Sequence, residues 1–406
     1  MTPELGRRIV FTLGALLIYR LGTYIPLPGI SPEIWEQIFK SQAGSILGMV
    51  NAMSGGGIHR LAIFALGLIP FLSAAIVLQV LTIALPWLRA LRKQGERGRR
   101  TVDTWTLLLT LLFSVLQAFG VAFGLEGVSN LVAEPGWLFR TSTVLTLTGG
   151  VMVLVWLAGQ ISARGIGNGV TLIFFAGIVA ELPSTIATTL ELGRQGVLSN
   201  GMILALLAFA VALTALVVVA ERARRRVLIL YPKRQVGNRT LEMLEGQSSH
   251  LPLKLNSAGI MPTVFAGWIL SLPLAIASDW WSGQLGRPLF LVVYAILIIG
   301  CTFFYTAFLV DPDEVAEMLK RQGGFIPGIP PGESTAEHID YVITRTTMIG
   351  AIYLALVFLV PEVLAASVRV PFYFGGASLL TVVCAILDLE DHVRAFAAIK
   401  SGARPQ

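Results

Sequence analysis

The chain has 406 residues, of which 55% are hydrophobic and only 13% are charged, and its mean hydropathy is +0.75. Soluble domains carry about 25% charged residues, so this composition excludes a soluble globular fold and indicates a polytopic membrane protein. The formal net charge is +6, and in a membrane protein the placement of positive charge reports topology before it reports any affinity for nucleic acid.

The first apolar run follows Arg7 and Arg8, an arrangement that resembles the start of a signal peptide. No small-residue cleavage site follows it, so we interpret it as a retained first span. A helix needs roughly 20 apolar residues to cross about 30 Å of hydrocarbon. Ten segments approach that length, and the sequence predicts spans at 8–25, 61–85, 104–124, 141–163, 166–183, 198–220, 255–277, 288–310, 344–361 and 370–387.

A short apolar segment precedes the second span. It begins at Gly44 and ends at Met53, which makes it too short to cross a bilayer. A polar stretch rich in glycine separates it from span 2 and contains Ser54, Gly55, Gly56 and Gly57. Taken alone, the segment is most simply an ordinary external loop, but its apolar character calls for another explanation.

Lys and Arg are distributed unevenly between the two sides of the predicted spans. With an even number of spans, both termini lie on one side of the membrane. Most of the positive charge falls on that side, with the heaviest clusters at 89–100 and 221–239. By the positive-inside rule, both termini are predicted to be cytoplasmic.

The ten predicted spans divide into two groups of five, residues 1–196 and 197–406. An odd number of spans in each half makes the second half inverted relative to the first. The second span of each half has the pattern G-x-x-P near its start, as Gly67 with Pro70 and Gly259 with Pro262. Paired interruptions indicate a functional site at the interface of the repeats, although Gly and Pro are also simply frequent in membrane helices.

No predicted span carries an Asp or Glu near its middle. Glu181 and Glu362 lie at span ends, Arg345 at the start of span 9 and Arg20 at the outer end of span 1. A proton-coupled transporter usually needs buried carboxylates, so proton coupling is disfavoured. Sodium coupling through backbone carbonyls stays open, because an inverted five-plus-five repeat is a known transporter plan. The spans also lack the His, Asp or Ser constellation of an intramembrane enzyme. Cys301 and Cys384 lie in apolar runs, and no histidines pair at ligand spacing, so we predict no catalytic residue, metal site or cofactor.

Two cytoplasmic loops show internal organisation. In the loop 221–254, VLILY (227–231) has strand character, and YPKRQVGNR (231–239) is expected to form the turn and second arm of a hairpin. In the loop 311–340, Asp311 and Pro312 predict the start of a helix, and Ser334 with Glu337 fits a capping box before span 9. Positive-inside topology explains the sign of the charge, whereas the length and order of these loops favour docking of a large partner.

Six parts of the sequence, in chain order, resemble the SecY family of bacterial protein-conducting channel subunits. They are YRLGTYIPLPGI (19–30), SGGGIHRLAIFALGLIPFLSAAIVLQ (54–79), RGIGNGVTLIFFAGIVA (164–180), YPKRQVGNR with GQSSHLPLKLNSAGIMPTVFA (231–239 and 246–266), GGFIPG with GESTAEHID (323–328 and 332–340) and VPFYFGGASLL (370–380). Because these matches cover nearly the whole chain in order, the resemblance is highly specific.

The resemblance implies an all-α polytopic membrane protein with ten transmembrane helices in two inverted five-helix halves. The short apolar segment would be a re-entrant plug helix at about 42–58, in which Ser54 to Gly57 would be the hinge that lets the plug leave. The chain would be the central pore-forming subunit of the Sec translocon in the bacterial cytoplasmic (inner) membrane. It would pass unfolded secretory proteins and release membrane-protein helices sideways into lipid. A secondary transporter with a five-plus-five inverted repeat is the alternative.

The resemblance also assigns roles to individual residues. The pore ring would comprise Leu68, Leu72, Val170, Phe174, Val264 and Thr381, and it would exclude water and ions by dewetting. The lateral gate would contain Ser73, Gln79 and Asn256. Taken alone, such polar residues more often make hydrogen bonds between helices. Thr381 and the bulky Phe174 depart from the aliphatic pattern of the family's ring.

The partners implied by the resemblance are the membrane subunits SecE and SecG, the SecA motor or a translating ribosome, signal peptides, nascent chains and the lipid bilayer. The docking residues would be Arg224, Arg225, Arg226, Lys233, Arg234, Arg239, Lys320, Arg321 and Pro330. Pro330 stands where the family usually has an Arg in the pattern G-I-R-P-G. This departure from the family's pattern suggests a diverged or second copy with altered motor coupling.

Overall fold

The computed structural model describes residues 3–41, 51, 54–92, 95–196, 198–230, 235–236, 239–240, 249–276, 286–368 and 375–401. Across these residues the chain forms thirteen helices and four short strands. The fold is therefore mostly helical, as the sequence predicts, with strands confined to one loop region.

The helices before the strands are α1 (Pro3–Gly22), α2 (Pro32–Ser41), α3 (Ile69–Ala84), α4 (Pro86–Arg92), α5 (Glu96–Glu126), α6 (Trp137–Arg164), α7 (Gly169–Arg194) and α8 (Asn200–Arg222). The strands are β1 (Arg224–Ile229), β2 (Gln235–Val236), β3 (Arg239–Thr240) and β4 (Ser249–Lys254). The helices after them are α9 (Met261–Ile276), α10 (Gly286–Leu309), α11 (Pro312–Arg321), α12 (Glu333–Val368) and α13 (Gly376–Ser401).

Several helical stretches have the length and apolarity of membrane spans. Six are found within the described residues: Glu96–Glu126, Trp137–Arg164, Gly169–Arg194, Asn200–Arg222, Leu289–Arg321 and Glu333–Leu364. A helix satisfies all its backbone hydrogen bonds internally, which is what a lipid environment demands. These helices confirm a multi-pass membrane protein, whereas the count of ten spans stays a prediction.

The chain folds into two compact units. The first comprises Met1–Ala210 with Glu362–Gln406, and the second comprises Val211–Pro361. The two boundaries fall inside helices α8 and α12. The predicted halves, 1–196 and 197–406, describe membrane topology and remain a prediction.

In the first unit, α5 packs between α3 and α6, α7 packs on α6, and α13 packs on α7. One apolar core forms where the ends of these helices meet the loops that join them. It comprises the buried residues Leu27, Leu61, Ala65, Ala118, Leu125, Leu131, Val132, Phe139 and Leu147. Short backbone bridges, Pro26 with Ala62 and Ile30 with Val132, tie three loops over this core.

In the second unit, β1 pairs antiparallel with β4, from Arg224 opposite Lys254 to Ile229 opposite Ser249. The predicted second arm at 231–239 is therefore wrong, because the partner of β1 lies ten or more residues further on; β2 and β3 form only a small separate pair. The physical reason lies in side-chain alternation. Leu251 and Leu253 of β4 pack on the same core as Val227 and Ile229, which a polar, basic arm cannot do.

Helix α11 confirms the predicted cap. The Asp311 carboxylate accepts hydrogen bonds from the backbone N–H groups of Asp313 and Glu314, at 3.1 and 3.5 Å, with Pro312 in the first turn. The predicted capping box at Ser334 is wrong in register, because α12 already begins at Glu333. Thr335 instead closes the preceding loop by donating to the Pro330 carbonyl at 2.9 Å.

Candidate functional site

The predicted pore-ring residues lie on four helices. Leu68 occupies the N-cap position of α3 and Leu72 follows one turn later, with the Leu72 N–H donating to the Leu68 carbonyl at 3.0 Å. Val170 and Phe174 are one turn apart on α7, Thr381 is on α13 and Val264 is on α9 of the second unit. Leu68, Leu72, Phe174 and Thr381 are buried, and Val170 and Val264 are half-buried.

The hydroxyl of Thr381 is hydrogen-bonded within its own helix. Its Oγ1 donates to the Ala377 carbonyl one turn earlier, at 2.8 Å. A threonine bonded back to its own helix has its hydroxyl satisfied locally. The departure from an aliphatic residue therefore leaves no unmet donor at this position.

Gly67 and Pro70 shape the start of α3. Gly67 has φ of +56°, a conformation that favours glycine, and Pro70 lies in the first helical turn. Ser54 lies nearby, since a Cβ at Gly67 would be 3.7 Å from the Ser54 Cβ. In the second unit Gly259 also has positive φ, at +61°, two residues before α9 begins. The two G-x-x-P patterns thus have the same local role, a left-handed entry to a helix.

The residues predicted as a hinge form a compact turn. We call residues 54–60 the glycine turn; Gly55 and Gly56 have φ of +66° and +79°. Asn51 holds it, because its backbone carbonyl accepts from Ser54 Oγ at 3.0 Å and from the Gly56 N–H at 2.9 Å. Its side-chain oxygen accepts from the His59 N–H at 2.8 Å. Residues 42–50, 52 and 53, which include most of the predicted plug, lie outside the described residues.

A charged cluster that sequence reasoning missed surrounds the glycine turn. Arg20 of α1 donates to the Gly55 carbonyl at 2.7 Å and lies 4.0 Å from the Glu181 carboxylate of α7. Arg60 lies 3.8 Å from the same carboxylate. Both guanidinium groups stack on the Tyr24 ring, at 4.9 Å for Arg20 and 4.2 Å for Arg60. The only sequence signal was the position of Arg20 and Glu181 at span ends.

The predicted gate residues are bonded within their own units. Ser73 is buried and donates to the Ile69 carbonyl at 3.0 Å, and Gln79 is half-buried on the same helix, α3. Asn256 is buried in the second unit and donates to Glu221 Oε1 at 2.8 Å and to the Gly259 carbonyl at 3.2 Å.

Glu221 and Tyr353 belong to the same polar group, although the sequence did not point to them. The Tyr353 hydroxyl donates to Glu221 Oε1 at 3.4 Å, so this oxygen accepts hydrogen bonds both from Asn256 in the loop before α9 and from Tyr353 in α12. The contact joins the end of α8 to the middle of α12. Spacing along the chain could not reveal it, because the residues are separated by more than a hundred positions.

The two loops predicted to be cytoplasmic form one folded platform in the second unit. We define the platform as β1, β4, α11 and the loop 322–332. Leu230 and Phe325 exchange backbone hydrogen bonds of 2.9 Å in both directions, which joins the hairpin to the loop after α11. Beneath them lies an apolar core of Val227, Ile229, Leu319, Ile326, Ile339, Val342 and Ile343.

The platform's surface is basic with an apolar patch. Arg224, Arg225 and Arg226 are exposed on β1, and the next outward residues, Leu228 and Leu230, are also exposed. Of the other predicted docking residues, Lys320, Arg321 and Pro330 are exposed, and Arg321 pairs with Glu317 at 2.7 Å. Arg239 lies in β3, and Lys233 and Arg234 fall outside the described residues.

Comparisons with known proteins agree with this arrangement. The family model for SecY matches residues 62–389. Protein translocase subunit SecY of Escherichia coli strain K12 is 44% identical over 408 residues, covering 96% of this chain and 91% of that protein. The chain also has the fold of solved protein-conducting channels, one described as the structure of a protein conducting channel, with a TM-score of 0.70 at 16% identity, covering 98% of this chain and 94% of the other.

A second solved structure, Sec61 in the canine ribosome–channel complex from the endoplasmic reticulum, has a TM-score of 0.66 at 16% identity, with the same coverage of 98% and 94%. At that identity the likeness establishes the fold alone. The family model and the identity to the bacterial relative, each over most of the chain, establish more than that. The chain belongs to the SecY family.

Proposed function

We propose that this chain is the central pore-forming subunit of a Sec translocon. The observation that carries the proposal is identity of 44% to a protein translocase subunit over 96% of the chain. Membership of a channel family makes it a passive pore and not an enzyme. The secondary-transporter alternative is not favoured, because the relatives and the matched folds are protein-conducting channels.

The proposed architecture has ten spans in two inverted halves of five, 1–196 and 197–406. Six membrane-length helical stretches among the described residues support it. The matching left-handed glycines, Gly67 and Gly259, support the repeat, because each introduces the second span of its half. We place the chain in the bacterial cytoplasmic membrane with both termini in the cytoplasm, on the strength of its charge distribution.

The proposed pore ring closes the resting channel by dewetting. A narrow collar of apolar side chains excludes water and ions, yet such side chains can part around a passing chain. Burial of Leu68, Leu72 and Phe174 fits a closed state. The locally bonded hydroxyl of Thr381 is compatible with membership of that collar. The proposed plug, 44–53, lies mostly outside the described residues and would enter the outer funnel of the channel.

The proposed lateral gate lets apolar segments leave the pore for lipid. The driving force is transfer free energy, since Leu, Ile or Phe contributes about −0.3 to −0.6 kcal/mol per residue and a charge costs about 2.5–3.5 kcal/mol. Ser73, Gln79 and Asn256 would line the gate. Ser73 and Asn256 are each hydrogen-bonded within their own unit.

The proposed partners follow from the family and from the platform. SecE and SecG would be the membrane partners, and SecA or a ribosome would supply the driving force on the cytoplasmic side. The exposed arginines Arg224, Arg225 and Arg226 suit an acidic or RNA surface. The fold of Sec61 in a ribosome–channel complex supports the ribosome as one such partner.

The test is deletion of residues 44–53 in the reconstituted protein. If these residues form a plug, the variant folds but leaks ions and small solutes in planar bilayers. Substituting the same stretch with a Gly/Ser linker of equal length controls for shortening. A deletion that stays electrically silent and abolishes uptake of a solute would contradict the channel and favour the transporter.

A further inference from the structure

We infer that Glu181 is a positioning residue that holds the glycine turn against α1 and α7 and so keeps the resting channel closed. The inference rests on the proposed function, because it assigns the turn to a channel. It concerns only described residues: the turn itself, Arg20, Tyr24 and Glu181.

The Glu181 carboxylate lies between two positive charges from different segments. Arg20 reaches it from α1 at 4.0 Å, and Arg60 reaches it from the turn at 3.8 Å. The three side chains are 20–30% exposed, so water screens the charges less than at an open surface. One carboxylate on α7 therefore links the turn to both helices.

The positions of Arg20 and Arg60 depend on the Glu181 carboxylate. Both guanidinium groups lie on one aromatic ring, that of Tyr24. Two positive charges that contact the same ring repel each other, and a carboxylate between them offsets the repulsion. Replacing Glu181 with a neutral residue should push one arginine away. Arg60, which belongs to the turn, would then carry the turn with it.

The backbone of the turn fits closely against both helices. A Cβ at Gly55 would lie 2.6 Å from the Tyr19 hydroxyl and 3.0 Å from the Gly177 Cα, and a Cβ at Gly56 would collide with the Glu181 carboxylate. Arg20 also donates directly to the Gly55 carbonyl at 2.7 Å. The turn therefore cannot leave α1 and α7 without breaking the charged contacts.

The position of the turn matters because of what lies on either side of it. Asn51 precedes it and bonds to it, and the start of α3, which carries Leu68 and Leu72, follows it. Ser54 also lies beside Gly67, at the entry to α3. A displaced turn would thus disturb the entry to the helix that carries two ring residues.

The experiment compares Glu181→Gln with Glu191→Gln in the full chain embedded in lipid nanodiscs and in planar bilayers. Glu191 lies on the same helix and, within the described part of the chain, contacts the exposed side chains of Arg194 and Gln195 near the helix end, so it is a matched control. For Glu181→Gln we expect about fivefold faster hydrogen exchange in a peptide covering 54–62 and a several-fold higher resting current. Glu191→Gln should change neither.

The resting current of the double variant Arg60→Gln with Glu181→Gln provides a second test. If Glu181 were merely structural, removing Arg60 as well would not lower the current. Removing one of the two arginines relieves their repulsion, so the double variant should leak less than Glu181→Gln alone. Unchanged exchange in Glu181→Gln would overturn the inference, and so would faster exchange with an unchanged current. If deletion of 44–53 also left the current unchanged, the proposed channel function would be wrong. Hydrogen exchange at 54–62 would still show whether Glu181 holds the turn.

Discussion

The glycine turn and the platform are held together in opposite ways. The turn owes its shape to glycines with positive φ, to hydrogen bonds from Asn51 and to charges around Glu181. The platform owes its shape to a buried aliphatic core, and its charges lie outside that core. Breaking one charge contact can release a segment held by polar contacts. A buried aliphatic core, by contrast, stays packed when surface charges change. The difference fits the proposed roles of the turn as a moving part and of the platform as a fixed docking surface.

The largest expected effect tests the platform's dependence on its core. Ile339 of α12 is 1% exposed, and Ile339→Ala should cost about 2–5 kcal/mol because it removes buried methylenes and leaves a cavity. We expect faster proteolysis in the platform and a lower melting temperature of the purified protein. Ile349→Ala, at an exposed site on the same helix, is the control. Equal effects of the two changes would show that the platform does not depend on this core.

The second prediction tests the turn's dependence on close packing at glycine. Gly56→Ala introduces backbone strain of about 1–2 kcal/mol at positive φ, and its Cβ also meets the Glu181 carboxylate. Gly328 has the same φ, +79°, but open space around it, so Gly328→Ala reports strain alone. Thermal unfolding and hydrogen exchange at 54–62 should be more affected by Gly56→Ala. Identical behaviour of the two variants would mean that contact with Glu181 does not restrain the turn.

The smallest expected effect concerns a surface charge on the platform. Pro330 is exposed and contributes only its carbonyl, which accepts from Thr335 and which an arginine would retain. Pro330→Arg adds a cation and hydrogen-bond donors, so we expect a modest rise in SecA-driven export from reconstituted vesicles, with the fold unchanged. Pro331→Arg places the same charge one residue away as a control.

A competing hypothesis is that a partner specific to this protein has adapted to Pro330. Pro330→Arg would then lower export with the native motor while leaving export with a standard motor unimproved. Measuring both motors with both variants distinguishes the hypotheses. Strong and equal SecA-driven export by the unmodified chain and Pro330→Arg would show that this position does not limit coupling.

Local signals were sufficient wherever one stretch of chain sets its own structure. Asp311 and Pro312 predicted the start of α11 because a cap needs only neighbouring backbone groups. The capping box at Ser334 placed the start of α12 slightly too late, since α12 already begins at Glu333 and a run of capping residues does not specify which of them takes the cap position. The partner of β1 was misassigned for a different reason: strand pairing depends on which distant segment can share a core.

The sequence alone determined that this protein lies in a membrane, that it is mostly helical and that it resembles one channel family, because apolar run length and motif order are properties of the chain itself. Only the tertiary structure decided which distant side chains meet. It brought Glu181 to Arg20 and Arg60, Glu221 to Asn256 and Tyr353, and Leu230 to Phe325. Each of these contacts joins segments far apart in the chain, and their meeting follows from helix and strand packing, which no local spacing records.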